Sequence, residues 1–324
     1  MKEMPGSLSL IIPCWNEMES LPALFSRIEA VSDEWPDDYE ILCVDDGSSD
    51  GTVELLRQQH ERDPKWKVVI LSRNFGHQSA VSAGLAESRG EVVAVIDADL
   101  QDPPELISRL IEKWREGFEV VYAVRKKRKE GLLKRTAYFW FYRLMKATTD
   151  IKDFPLDSGD FSLLDRKVVE TLVAFPEKNR FLRGLRAWSG FRQTGVEYER
   201  SARHAGEPKY GFRKLLSLAG DGLFSFSGVP LRLASFAGLF VSLFAGLGAA
   251  IFVIQRIYPE PFLEMGMPIV PGFAATIVTI LFLGGVQLLF LGVIGEYLNR
   301  IYTEVKGRPE YIVAEKIGLE DKRS

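Results

Sequence analysis

The sequence predicts a doubly wound, mostly parallel α/β sheet followed by two transmembrane helices. Within the first 125 residues, five short apolar runs alternate with amphipathic stretches of helical period. Each run is followed at once by polar, mostly acidic residues. Toward the C-terminus, residues 233–255 and 265–295 contain no charged side chain, and each run exceeds the roughly 20 residues that cross a hydrocarbon core.

Length and charge set the frame for these elements. At 324 residues the chain exceeds a single core of about 100 to 200 residues, so a large domain with an added module is expected. Its 41 Lys and Arg nearly balance 44 Asp and Glu, which leaves no field to gather nucleic acid, so an anionic ligand must be held by a local site. Cys14 and Cys43 lie inside apolar runs, as reduced core thiols do, and a disulfide scaffold is excluded.

Residues 8–13, 41–44, 68–71, 92–96 and 120–124 read as strands. Between them, Leu21, Leu24, Phe25 and Ile28, and later Leu106, Leu110, Ile111 and Trp114, recur at helical spacing. The apolar run at 8–12 is too short for a signal peptide and is soon followed by Asn16 and Glu17, so the N-terminal two-thirds is expected not to be exported. In such a sheet the ligand sits beyond the carboxyl ends of the strands. The residues there are Asn16-Glu17, Asp45-Asp46-Gly47-Ser48-Ser49-Asp50, Arg73-Asn74, Asp97-Ala98-Asp99 and Arg125.

Ser49 or Asp50 can cap the helix that follows the second strand, but capping accounts for one Asp of that group, not three. Asp97 and Asp99 place two carboxylates at the cleft, where their repulsion is relieved by a divalent cation. Hard oxygen ligands at this spacing suit Mg²⁺ or Mn²⁺ completed by substrate phosphates. Asp102 is expected to be an N-cap, because Pro103 and Pro104 open the next helix. Neither Gly-x-Gly-x-x-Gly nor a Gly-Lys-Ser/Thr loop is present, which argues against dinucleotide redox chemistry and P-loop hydrolysis.

Residues 131–147 read as a helix lying in a membrane interface. Leu133, Ala137, Trp140, Phe141 and Leu144 share one arc of about 100 degrees, with Arg135, Arg143 and Lys146 on the other side. Residues 211–226 are a second interfacial candidate. Arg232 precedes the first apolar run, and Arg300, Lys306, Arg308 and Lys316 follow the second, while the connector holds Glu260 and Glu264 with only Arg256 at its edge. Both termini are therefore expected in the cytoplasm. Gly238, Gly246, Gly248, Gly284, Gly285 and Gly292 permit close helix packing and a homo-oligomer. The expected division is 1–210 catalytic, 211–230 interfacial, 231–300 membrane-spanning and 301–324 a cytoplasmic tail.

The motifs I-I-P-C-W-N-E at 11–17, V-D-D-G-S-S-D-G-T at 44–52 and D-A-D-L-Q-D-P-P-E at 97–105 resemble those of family-2 glycosyltransferases of GT-A fold. With S-R-N-F-G at 72–76, S-G-D-F at 158–161, R-F-L-R-G-L at 180–185 and F-R-Q-T-G-V at 191–196, the whole chain is similar to the bactoprenol glucosyltransferases, relatives of dolichyl-phosphate mannosyltransferases. This resemblance implies that Pro13, Trp15, Glu17, Val44 and Asp46 line the nucleoside pocket. It likewise implies that Asp99 and Gln101, with Asp97 beside them, hold the metal at the donor diphosphate. Arg203 and Lys209 would close a loop over that diphosphate, although Pro208 stands where relatives often carry Ser or Thr. Arg125 and Arg143 match positions that grip the acceptor phosphate in the mannosyltransferases. Asp157 and Asp160 lie in the S-G-D-F region, and Asp160 is read as a sugar-hydroxyl contact.

The implied reaction moves a hexose, glucose from UDP-glucose first among candidates, to undecaprenyl or another polyprenyl phosphate with inversion at the anomeric carbon. GDP-mannose is the alternative donor. A processive polysaccharide synthase lacks its Gln-x-x-Arg-Trp motif and further spans here. A catalytically silent scaffold leaves the strand-end carboxylates without a purpose.

Overall fold

The computed structural model describes residues 2–125, 158–178, 180–198, 229–264 and 272–319. The chain divides into two units, Met1–Ser225 joined by Arg308–Ser324, and Phe226–Gly307.

Among the described residues the first unit has eight strands: β1 (Ser7–Cys14), β2 (Asp38–Asp45), β3 (Trp66–Leu71), β4 (Val92–Val95), β5 (Val120–Arg125), β6 (Ser158–Asp165), β7 (Gln193–Tyr198) and β8 (Val313–Ile317). They form one sheet in the order β7-β5-β6-β4-β1-β2-β3-β8. β1 pairs in parallel with β2 and β4, β2 with β3, and β5 with β7, whereas β6 runs antiparallel to β4 and β5, and β8 antiparallel to β3. Helices cover the faces of the central strands, so Leu10, Ile11, Ile12, Leu42, Val44, Val92 and Val93 are buried whichever way they point.

The helices are α1 (Leu21–Val31), α2 (Thr52–Arg62), α3 (His77–Glu87), α4 (Leu106–Arg115), α5 (Arg166–Ala174) and α6 (Leu182–Trp188). α1 and α4 bury the apolar stripes read from their periodicity. α3 is different, because its buried residues are small ones such as Ala80, Ala83 and Gly84. A Cβ at Gly84 would lie 2.4 Å from Ile11 Cγ2, so only glycine lets this helix approach β1 so closely. That approach sets the height at which the start of α3 meets the strand ends.

Three strands and two helix starts differ from the sequence expectation. β6, β7 and β8 add to the five predicted strands, and β8 comes from the segment expected to be a separate tail. α4 begins at Leu106 with Glu105 at its cap. Asp102 is therefore not the N-cap, and its carboxylate instead accepts a 2.6 Å hydrogen bond from the Tyr198 hydroxyl. Gly51, in a left-handed conformation, caps α2, while Asp50 accepts from the Thr52 amide and hydroxyl.

The second unit contains α7 (Val229–Ile257), the short α8 (Pro259–Glu264) and α9 (Phe273–Val305). Phe236–Ile257 and Phe282–Val305 are long and apolar enough to cross a membrane. They present side chains such as Phe240, Leu243 and Leu247 almost fully outward. Gly238 faces Phe290 across the two helices, whereas Gly246, Gly248, Gly284, Gly285 and Gly292 have open space at the Cβ position. The interfacial segments expected at 131–147 and 211–226 lie outside the described residues.

Candidate active site

The parallel strands deliver their carboxyl ends to one edge of the sheet, and reversed β6 brings its first residues to the same edge. The loops there are fastened to one another. The Asn16 amide donates to Ser48 Oγ (2.9 Å), the Ser49 amide to Asn16 Oδ1 (2.9 Å) and the Glu17 amide to Thr52 Oγ1 (3.0 Å). The Glu17 carboxylate accepts from Ser20 Oγ at 2.6 Å.

The β3 loop crosses directly over Gly47. At φ +69°, with the Cβ position only 2.5 Å from the Arg73 carbonyl carbon, this residue must be glycine. Asp46 then holds the loop, accepting from the amides of Phe75 (2.7 Å) and Gly76 (2.9 Å). Burial raises its pKa, partly opposed by those two amides. Of the expected nucleoside contacts, Trp15 is exposed and Pro13 and Glu17 lie at or beside the end of β1. Val44 turns its side chain toward α3, leaving its main chain toward the strand end. Asp46 has both carboxylate oxygens engaged by those amides.

Clamping of the loop presents His77 and Gln78 at the first turn of α3. His77 Nε2 lies 3.3 Å from Asp160 Oδ2 and 3.6 Å from Asp97 Oδ1. Gln78 Nε2 donates to Asp160 Oδ2 (3.2 Å), and Gln78 Oε1 accepts from the Leu182 amide (3.0 Å). Arg183 forks onto Asp160 with Nε at 2.8 Å and Nη2 at 3.0 Å. Asp160 is thus gripped by three side chains from two segments of the chain.

The electrostatics follow from these contacts. Burial alone would raise the pKa of Asp160, but Arg183 and His77 hold it well below the usual carboxylate range. Burial would lower the pKa of His77, yet the hydrogen bond to Asp160 and the charges of Asp97 and Asp160 raise it to about 9. Asp97 is pushed up to about 6, chiefly by desolvation, with His77 opposing and Asp102, Asp160 and Asp99 adding to the rise. Asp97 is therefore the carboxylate here most in need of a further cation.

Asp99 Oδ1 accepts from the Gln101 amide at 3.1 Å, closing a tight turn in which Leu100 has φ +61°. The Asp97 and Asp99 carboxylates and the Gln101 side-chain oxygen are hard donors of the kind Mg²⁺ or Mn²⁺ takes. Among the described residues no three His, Cys, Asp or Glu side chains gather into a metal cage. β5 ends at Arg125, on the same edge. Arg143, Asp157, Arg203 and Lys209 lie outside the described residues.

His77, Gln78 and Arg183 were not singled out by sequence reasoning. The usable signals were the position of His77 directly after the S-R-N-F-G motif and of Arg183 inside R-F-L-R-G-L.

A family model described as glycosyl transferase family 2 matches residues 9–173. The chain is 48% identical over 316 residues, 97% of its own length and 95% of the relative's, to a Bacillus subtilis (strain 168) protein named uncharacterized glycosyltransferase YkcC. It is 41% identical over 309 residues, 94% of its length and 97% of the relative's, to the SfII prophage-derived bactoprenol glucosyl transferase of Shigella flexneri. Among solved structures, the mannosyltransferase PcManGT from Pyrobaculum calidifontis, in complex with GDP-Man and Mn²⁺, is similar with a TM-score of 0.49 and 18% identity, covering 94% of this chain and 86% of that one.

Proposed function

The chain belongs to glycosyl transferase family 2, and from that premise we propose that it moves glucose from UDP-glucose to undecaprenyl or a similar polyprenyl phosphate at the cytoplasmic face of a membrane. The product would be a lipid-linked sugar for modifying cell-surface glycans. The observation that carries this reading is the 41% identity, over 94% of the chain, to a protein named as a bactoprenol glucosyl transferase.

The chemistry of the acceptor agrees with the residues at the strand ends. A phosphate monoester is already anionic near neutral pH, so its oxygen attacks the anomeric carbon without a general base. As that C–O bond forms, the bond to the nucleoside diphosphate breaks and the diphosphate leaves with the electron pair, inverting the centre. Asp160, kept ionised by Arg183 and His77, suits a fixed acceptor for a sugar hydroxyl rather than a proton shuttle. Asp97, Asp99 and Gln101 would hold Mg²⁺ or Mn²⁺, which supplies positive charge against the leaving diphosphate. Arg125 and Arg143 are proposed to bind the acceptor phosphate, and Arg203 and Lys209 the donor diphosphate.

Connectivity supports the placement. β3 and β8 belong to one sheet yet lie on opposite sides, in sequence, of the two apolar helices. Helices that span a bilayer and return the chain to the same sheet must cross it an even number of times. With basic residues flanking the pair and Glu260 and Glu264 between them, the sheet is assigned to the cytoplasm. A reporter fused after Ser324 should read cytoplasmic and one inserted near Glu264 should read the far side, and the reverse pattern would defeat the placement.

The direct test incubates membranes containing the protein with undecaprenyl phosphate and a panel of nucleotide sugars. Transfer of glucose from UDP-glucose is expected. Transfer from GDP-mannose alone would replace the donor, and release of a polymer or no transfer at all would refute the reading.

A further inference from the structure

The returning segment does more than add an edge strand. Beyond the β8 ladder, the Ser72 amide donates to the Ile312 carbonyl (2.9 Å). Lys316 pairs with Glu87 at the end of α3 (2.9 Å), and Arg57 forks onto Glu315 at the surface. One contact of this segment is buried: Glu310 Oε2 lies 3.1 Å from Arg180 Nε, with each side chain only 10% exposed.

Arg180 belongs to the loop that leads from α5 into α6. Its guanidinium also donates to the carbonyls of Leu172 (3.3 Å), Phe175 (2.7 Å) and Glu177 (3.2 Å), so it ties that loop together around one cation. Two residues later the Leu182 amide meets Gln78, and three residues later Arg183 grips Asp160. Burial raises the pKa of Glu310, with the Arg180 charge opposing it most and Ser82 and Lys178 adding to that opposition.

We propose that Glu310, on the segment following the second apolar helix, is a positioning residue for the transfer site. Its buried pair with Arg180 sets the entry into α6 and so the angle at which Arg183 presents Asp160. The last stretch of the chain is then part of the catalytic framework. Removing its charge should disturb the reacting end of the cleft more than the binding of either substrate. The kinetic side of this inference rests on the glycosyl-transfer reading, while its structural side does not.

The test compares full-length Glu310→Gln with Glu315→Ala, which breaks a surface contact of the same strand. Glu310→Gln is expected to speed amide hydrogen exchange in the 180–188 and 75–80 peptides roughly fivefold. It should also lower kcat by about tenfold, with KM for donor and acceptor nearly unchanged. Glu315→Ala should do neither. Unchanged exchange, raised exchange with unchanged kcat, or equal losses in both variants would overturn the proposal. Should Glu310→Gln fail to fold, Arg180→Lys, which keeps the charge but loses the guanidinium's several donors, is judged by the same readouts. If the unmodified protein transfers no sugar from any donor, the functional reading falls, and the exchange arm still decides the structural claim.

Discussion

Arg183→Leu tests the construction of the site most directly. The change keeps a bulky side chain but removes both hydrogen bonds to Asp160, whose side chain is 9% exposed. Breaking a buried ion pair commonly costs about 3 to 5 kcal/mol, because the remaining charge is stranded. Arg183 is 35% exposed, so solvent screens part of this, and a loss of about 2 kcal/mol is expected. For a chain this large, that corresponds to a fall in Tm of roughly 4 to 8 °C. The sign of the pH dependence is fixed by the direction of the shift. Asp160 has a folded pKa below its unfolded value, so its stabilisation is present above the unfolded value of about 3.9 and is lost as pH falls through the folded pKa. The Tm gap between the two proteins should therefore be full at neutral pH and shrink on acidification below about pH 4. With Arg183 gone, burial pushes the Asp160 carboxyl upward, so the acidic limb of the kcat profile should move to higher pH. Scanning fluorimetry and kcat profiles across pH measure both effects. A Tm gap that stays constant across pH, with an unmoved acidic limb, would show that Arg183 acts through packing and refute the ion-pair argument.

Chelation should abolish transfer, Mg²⁺ or Mn²⁺ should restore it, and Asp99→Ala should lose most activity while staying folded; undiminished turnover in excess chelator would contradict the assignment. Because burial pushes the Asp97 carboxyl up to about 6, apparent cation affinity measured by calorimetry should weaken as pH falls through that value. Gly47→Ala places a methyl group against the Arg73 main chain and should destabilise by about 2 kcal/mol or more, read by thermal unfolding; a neutral result would mean that the β3 loop is not clamped as described. Arg143→Ala should weaken productive use of polyprenyl phosphate by at least tenfold, as for losing one partner of a desolvated charge pair, with donor binding by calorimetry preserved. Loss of donor binding instead would move Arg143 to the other substrate.

Much of this arrangement could be read from local patterns. The five parallel strands announce themselves because strands buried on both faces are written as unbroken apolar runs, as in Leu10-Ile11-Ile12. β6 hides its core residues, Phe161 and Leu163, between Asp160, Ser162 and Asp165. β8, Val-Ala-Glu-Lys-Ile, is a half-exposed edge strand with no such run. Strand-end carboxylates were visible because the topology fixes where strand ends lie. What converges on Asp160 was not, since Gln78 is 82 residues away from it and Arg183 is 23, and no local periodicity encodes contacts of that kind. Asp102 was misread for a related reason, because a capping assignment weighs neighbours in sequence and cannot see Tyr198, 96 residues on.

Strain falls where the chemistry is proposed. Among the described residues, the only non-glycine residues with positive φ are Asn16 (52°) and Leu100 (61°). Both lie just beyond neighbouring parallel strands, β1 and β4. Asn tolerates this conformation, and its side chain accepts from the Ser49 amide, which fastens the first loop to the second. Leu has no such excuse, and a strained residue of this kind costs about 1 to 3 kcal/mol. It is held there because its side chain is buried and its carbonyl accepts from Arg27, which in turn pairs with Glu105 at the other end of the same loop. The strained residue separates Asp99 from Gln101, and the turn it forces brings the Gln101 amide onto Asp99 Oδ1. A relaxed backbone at this position would extend the loop and break the hydrogen bond that orients the Asp99 carboxylate. Under the metal role proposed for Asp99, a carboxylate oriented by this turn before any cation arrives removes an ordering step from binding, which is the return expected for a strained leucine where glycine would sit without effort.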